Sequence, residues 1–137
     1  CTSAVADTIE ATFGSAQAST AWIVATGTGI DTGGADGANA VAQTKTAASS
    51  SGVTTLTTTF DNALHPSGKS VNLTFVYVGP TSSVTPDADF VELADVSVAT
   101  LSGTLEAQHG LAQSTCTPTW PSGSCCQFSL EVVPAAA

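Results

Sequence analysis

Four cysteines are the residues of this chain whose spacing points most clearly to chemistry. Cys116, Cys125 and Cys126 fall within eleven residues near the end of the sequence, and the fourth is Cys1. Because the neighbours Cys125 and Cys126 would form a strained ring with each other, we expect Cys116 to pair with one of them and Cys1 with the other. Two such disulfides predict an oxidising compartment. Cys1 followed by Thr and Ser also resembles a lipidated terminus, and lipid on Cys1 would remove its thiol from any pairing.

Acidic residues form a second candidate group. Asp87, Asp89 and Glu92 follow Pro86 and could hold Ca²⁺ through carboxylate oxygens. Their spacing is not that of an EF-hand, and solvated loop acids would have the same pattern. We therefore expect no metal and no cofactor, and keep calcium at these three residues as the alternative.

A catalytic set is hard to assemble from this sequence. Residues 30–33 read Ile-Asp-Thr-Gly, the short signature of aspartic proteases, but that chemistry needs two carboxylates and the chain has one copy. Serine and histidine both occur, yet no motif places a nucleophile beside a base. We expect the protein not to be an enzyme.

Three aromatic residues could stack on a sugar ring: Trp120, Trp22 and Tyr77. Trp120 lies in a loop flanked by Pro118 and Pro121, which would hold it rigidly. The sequence leaves two interpretations open: Trp120 either covers the expected disulfide or is exposed as a glycan platform.

Composition limits the possible partners. More than half of the 137 residues are Thr, Ser, Ala or Gly, and eleven acidic residues against two lysines give a net charge of −9. Without a basic patch the chain cannot neutralise phosphates, so we expect neither nucleic acid nor anionic lipid as a partner. No apolar run is long enough for a transmembrane segment. A surface that is polar through hydroxyl groups is typical of secreted and cell-surface proteins.

Alternating apolar and polar residues predict the elements that would position these groups. In Ser70–Val78, one side carries Val71, Leu73, Phe75 and Tyr77, and the partly apolar other side makes this a central strand. In the last strand, Phe128, Leu130 and Val132 alternate with polar residues. Between residues 90 and 107 the alternation changes phase near Ala94-Asp95, which predicts a β-bulge. Prolines and Gly123 predict that residues 117–124 form a turn that cannot continue a ladder.

The remaining segments have less regular patterns. Residues 27–52 have no periodicity and several glycines, which predicts a long loop with a helical turn near residues 39–45. Val5, Ile9 and Phe13 recur every fourth residue, a pattern that fits a strand or a short helix, and we favour the strand.

Together these patterns predict one domain over residues 1–137 with a mainly β fold. We expect an antiparallel β-sandwich or barrel of about six to eight short strands, with a short N-terminal helix as an alternative and two disulfides. The function expected is that of an extracellular or cell-surface structural subunit of a fibre, pilus or coat. Such a subunit would self-associate into a homopolymer through a sheet edge or through a terminal strand carrying Val5, Ile9 and Phe13. The alternative is a carbohydrate-binding or adhesive module that uses the three aromatic residues.

Overall fold

The strand Val71–Gly79 lies at the centre of the fold. In the computed structural model, which describes residues 10, 12–16, 19–66, 68–79 and 81–136, it is the middle strand of a five-stranded antiparallel sheet. The strands are β1 (Val41–Thr55), β2 (Thr58–Thr59), β3 (Val71–Gly79), β4 (Val91–Val98), β5 (Gly103–Leu111), β6 (Thr115–Cys116) and β7 (Thr119–Val132). Two short 3-10 helices, Ala35–Ala40 and Ala99–Leu101, precede β1 and join β4 to β5.

The large sheet has the strand order β1-β7-β3-β5-β4, and β2 pairs with β6 in a separate ribbon. All pairs are antiparallel. The mainly β, antiparallel prediction and the predicted strand number are therefore confirmed. The sandwich or barrel is not confirmed, because among the described residues β1 and β4 form the two outer edges of an open sheet.

The prediction of a long loop over residues 27–52 was wrong for its second half. β1 begins at Val41, and its half-buried residues alternate with exposed ones in the period of a strand. Small residues hide this period in the sequence, because alanine, serine and threonine differ little in hydrophobicity. The predicted helical turn occurs earlier, as the 3-10 helix Ala35–Ala40.

The predicted strand in the first 26 residues was also wrong for the part that the structure describes. Residues 12–16 and 19–29 form neither helix nor strand, and Ile30 makes a single bridge with Pro134. Val5, Ile9 and the alternative of a short N-terminal helix lie outside the described residues.

Irregularities in the ladders occur where the sequence changes phase or contains proline. The β4–β5 register shifts between Glu92 and Ala94, which confirms the predicted bulge one to two residues earlier than expected. The turn predicted for residues 117–124 was wrong, because β7 already begins at Thr119. Pro121 is tolerated there because β3 pairs with β7 only from Ser124 onward, so the missing N–H of the proline faces no central ladder.

The two sides of the large sheet have opposite chemistry, and the polar side is the buried one. We call this side the polar face: Asn72, Thr74, Thr104, Glu106, Gln108, Gln127, Ser129 and Glu131, each at most 1–2 % exposed. The β2–β6 ribbon and the loops between strands cover it. The other side, the apolar face, consists of Val71, Leu73, Phe75, Tyr77, Leu105, Ala107, Phe128, Leu130 and Val132, placed together by their pairing across β7, β3 and β5.

A small apolar core forms at one end of the polar face. Val76, Val78, Val84, Trp120 and Cys125 pack there, with Val53 and Leu56 against them. Burying an aliphatic or aromatic side chain contributes about 1.5–3 kcal/mol. The buried interior thus combines an apolar cluster with hydrogen-bonded side chains, and Val76 lies between Gln127 and Glu106 in the sheet.

Candidate functional site

Hydrogen bonds between short side chains connect the polar face to the ribbon above it. The Ser129 hydroxyl lies 2.7 Å from Thr58 Oγ1 and 2.6 Å from Thr74 Oγ1. Gln127 Nε2 donates to Thr58 Oγ1 at 2.6 Å and to the carbonyl of Cys116 at 3.1 Å. Buried polar groups of this kind stabilise a fold when they are paired, so this network fixes β2 and β6 onto the sheet.

Glu106 is the ionisable group most strongly affected by this interior. Its side chain is fully buried, and burial raises its pKa from 4.5 to about 8. A hydrogen bond from Gln108 lowers the pKa, and the negative charges of Glu92 and Asp95 raise it. Gln108 Nε2 donates to Oε2 at 3.2 Å, while Oε1 has no hydrogen-bond partner among the described residues. Burial thus favours the neutral carboxylic acid at pH 7, and the side chain is not exposed to solvent.

Glu131 has the opposite behaviour although it is equally buried. Burial raises its pKa, but hydrogen bonds outweigh that effect and the net pKa is lowered. The backbone N–H of His65 donates to Oε1 at 2.6 Å, and Gln43 Nε2 donates to Oε2 at 2.8 Å. The ionised carboxylate thus anchors the 61–66 turn to β7 and β1.

The three described cysteines are free thiols, so the predicted disulfide between Cys116 and Cys125 or Cys126 was wrong. Burial raises the pKa of Cys116 to about 12, and its thiol hydrogen bonds with Thr74. Cys125 pairs across the sheet with Val78, which lies four residues beyond Thr74 along β3. That step is about 13 Å, whereas the Cα atoms of a disulfide lie about 4.4–6.8 Å apart.

The second predicted pair would join Cys1 to the other of the two neighbours, Cys125 or Cys126. Cys126 is exposed on the apolar face beside Tyr77, on the opposite side of β7 from Cys125. This placement of the neighbours on opposite sides agrees with the sequence interpretation. Cys1 lies outside the described residues.

The three aromatic residues do not lie together on one surface. Trp120 is 5 % exposed, and its Nε1 donates to the carbonyl of Val53 at 2.7 Å, so it belongs to the core. Tyr77 is half-buried on the other side of the sheet and donates to the carbonyl of Leu101 at 3.3 Å. Trp22 is 48 % exposed. Of the two interpretations of Trp120, the exposed platform is wrong because its ring fills the interior, while glycan binding at Trp22 and Tyr77 stays a prediction.

The acidic group after Pro86 does not converge on one point. The Asp87 carboxylate accepts the N–H of Thr117 at 2.6 Å, and the Asp87 N–H donates to Gln108 Oε1 at 2.9 Å. Asp89 and Glu92 are exposed. Among the residues that the structure describes, no group of three His, Cys, Asp or Glu side chains is placed to hold a metal ion. Asp87 has instead a structural role in joining the loop to β6.

The 30–33 motif forms a local turn. Asp31 Oδ1 accepts the N–H of Gly33 at 2.8 Å, and the N–H of Asp31 donates to the carbonyl of Val133. The Asp31 carboxylate thus accepts a hydrogen bond from the backbone two residues further along the chain.

The partial exposure of the apolar face is the feature that sequence reasoning missed. Residues 19–30 run along it: Ser19 Oγ lies 2.6 Å from Thr100 Oγ1 at one end, and residues 25–30 enclose a cavity of about 270 Å³ at the other. Val71, Leu73, Leu93, His109 and Val132 supply the floor of this cavity. Even with this segment in place, Val91 and Leu111 are each 61 % exposed and Phe128 is 39 % exposed. Val91 belongs to this face because it pairs with His109, which pairs with Leu73.

A large apolar surface usually marks an interaction site, since monomers seldom leave such patches open. On the crossing segment Trp22 and Val24 are also exposed, at 48 % and 56 %. The strand residues of the apolar face include no aspartate, glutamate, lysine or arginine, although the chain has eleven acidic residues. The alternation in β3 and β7 correctly predicted which residues share the apolar face. Which face is buried depends on the elements that cover the opposite side of the sheet.

Comparisons with protein-family models, with curated proteins and with solved structures found no match. In the described part of the chain no helix has the length and apolar character needed to cross a bilayer.

Proposed function

We propose that this chain is a non-catalytic structural subunit of an extracellular fibre, pilus or surface coat, which assembles with copies of itself. The observation that carries the proposal is the open sheet. Within the described residues β1 and β4 each pair with one neighbour, so each leaves a row of backbone groups available for another strand. Strand addition at such an edge joins subunits through main-chain hydrogen bonds.

β4 is the edge better suited to accept a strand. Residues 61–62 lie against β1, since Gln43 exchanges hydrogen bonds with the backbone of Asn62 and Lys45 contacts Asp61 at 2.6 Å. Beyond its bulge, β4 keeps a regular register with β5 from Ala94 to Val98. Five regular residues are the usual length of a strand and offer a straight template.

The donor in this proposal is the amino-terminal segment that carries Val5, Ile9 and Phe13. Phe13 is 50 % exposed, so its own chain does not bury it. Adding such a segment to a neighbour would place apolar side chains where they lose contact with water. The hydroxyl-rich, charge-poor composition supports an extracellular location. Because the described cysteines are free thiols, composition is the only support for that location.

Serine substitutions test the donor segment. The variant Val5→Ser, Ile9→Ser, Phe13→Ser should lose the filament-sized species in sedimentation velocity, because it removes apolar groups that the neighbour would bury. The control Ala4→Ser, Thr8→Ser, Thr12→Ser has the same spacing and should assemble like the wild type. Equal assembly of the two variants would count against the amino-terminal segment as donor.

A further inference from the structure

The part of the apolar face that residues 19–30 leave open includes Val91, Leu111 and Phe128. Strands of about nine residues span roughly 30 Å, and the four neighbouring strands β7, β3, β5 and β4 span roughly 15 Å, which gives on the order of 400 Å² before the part that residues 19–30 cover is subtracted. A standard interface buries about 800 Å² per partner. The outer surface of residues 19–30, with Trp22 and Val24 exposed, adds apolar area on the same side.

Charge favours a second copy as the partner. A symmetric contact places the same patch on both subunits, so a patch must be complementary to itself. The strand residues of this face carry no acidic or basic side chain besides His109, so two copies of a chain with net charge −9 could meet here without opposing carboxylates. A lipid surface is disfavoured, because two lysines give the chain little attraction to anionic headgroups.

We infer that two copies of this chain pack against each other through the apolar face, centred on Phe128, Leu111 and Val91 and including the outer surface of Trp22. The inference rests on the proposed function, because it adds a second contact between subunits to the strand addition described above. A chain with one edge contact and one face contact would form pairs of filaments or layers of subunits. Cys126 lies on the same face, is exposed, and becomes covered when the faces meet.

The test combines sedimentation velocity with alkylation of Cys126. Wild-type protein should associate as concentration rises, and the alkylation rate of Cys126, assigned by comparison with Cys126→Ser, should fall at least several-fold over the same range. The variant Val91→Glu, Leu111→Glu should abolish the change in alkylation rate, because it places carboxylates on the exposed part of this face. The matched control Thr81→Glu, Ala88→Glu adds the same charge at exposed loop positions on the opposite side and should behave like the wild type.

Each other outcome overturns the inference in a distinguishable way. Association that persists in Val91→Glu, Leu111→Glu with Cys126 still reactive would exclude the face contact and leave strand addition standing. Wild-type protein that stays monomeric at all concentrations would contradict both proposals. Slow alkylation of Cys126 in dilute protein would mean that a segment of its own chain covers the face. Binding to neutral-lipid vesicles by a monomeric protein would identify a lipid as the occupant.

Discussion

Glu106 and Glu131 lie on the same buried face and are shifted in opposite directions by their partners. Glu131 accepts two short hydrogen bonds that favour its charge, whereas Glu106 accepts one at 3.2 Å and its other oxygen has no partner in the described part of the chain. Burial therefore decides the pKa of Glu106, and hydrogen bonds decide that of Glu131. Sequence alone could not separate them, because both occupy polar positions of alternating strands.

The pKa of Glu106 leads to a prediction about stability and pH. Since the folded-state pKa of about 8 exceeds the ordinary value of 4.5, the folded chain holds a proton that the unfolded chain releases between these values. The free energy of unfolding should thus fall as pH rises from about 4.5 to about 8 and stay low above that. A tenfold change in proton affinity corresponds to about 1.4 kcal/mol, so the fall should be a few kcal/mol.

Glu106→Gln should remove this fall, since an amide does not ionise. Urea unfolding at pH 5, 7 and 9 measures it, with the exposed Glu10→Gln as control. If Glu106→Gln loses as much stability between pH 5 and pH 9 as the wild type does, the carboxyl group is not the cause.

The cysteines show how one sequence pattern supports two structures. Three cysteines within eleven residues fit a disulfide-closed loop, but the Cys116 thiol hydrogen bonds with Thr74 while Cys125 packs beside Val78. The distance between Cys116 and Cys125 depends on the position of β6 along the sheet. That offset is set by hydrogen bonds from Gln127, which no spacing of cysteines reveals.

At the scale of elements, the alternation in β3 and β7 predicted which residues share a face, and the structure confirms the grouping. The central position of β3 and the bulge in β4 were predictable for the same reason, since pattern and phase are local properties. The limits of β1 were not predictable, because its Ala, Ser and Thr residues give no apolar period. Which face is buried was not predictable either, because it depends on where the β2–β6 ribbon folds over the sheet.

Trp120 joins two elements and gives a prediction at this scale. Its indole N–H donates to the carbonyl of Val53 and so connects β7 to β1 where their register is irregular. Trp120→Phe keeps an aromatic ring but loses this bond, and should lower the free energy of unfolding by about 1 kcal/mol or more. Trp120→Ala should cost about 3–5 kcal/mol because it leaves a cavity.

Chemical denaturation measures both variants, and Trp22→Ala is the matched control because Trp22 is half-exposed. A loss for Trp22→Ala as large as that for Trp120→Ala would contradict the assignment of Trp120 to the core.

At the scale of the whole molecule, the described residues form an open sheet whose hydrogen-bonded side is buried and whose apolar side is only partly covered by residues 19–30. This arrangement joins the two proposals, since open edges accept strands and an apolar face accepts a second sheet. Burying that face in an assembly would also complete the second layer that the sequence led us to expect and that the described residues of one chain do not provide.

Carbene footprinting at low and high protein concentration tests this arrangement most directly. In dilute protein we predict strong labelling of Val91, Leu111 and Phe128 and little labelling of Val76 and Val78, because the former are exposed and the latter fully buried. At high concentration the labelling of the first three should fall while that of the valines stays low. Strong labelling of Val76 and Val78, or protection of Val91, Leu111 and Phe128 already in dilute protein, would contradict the account.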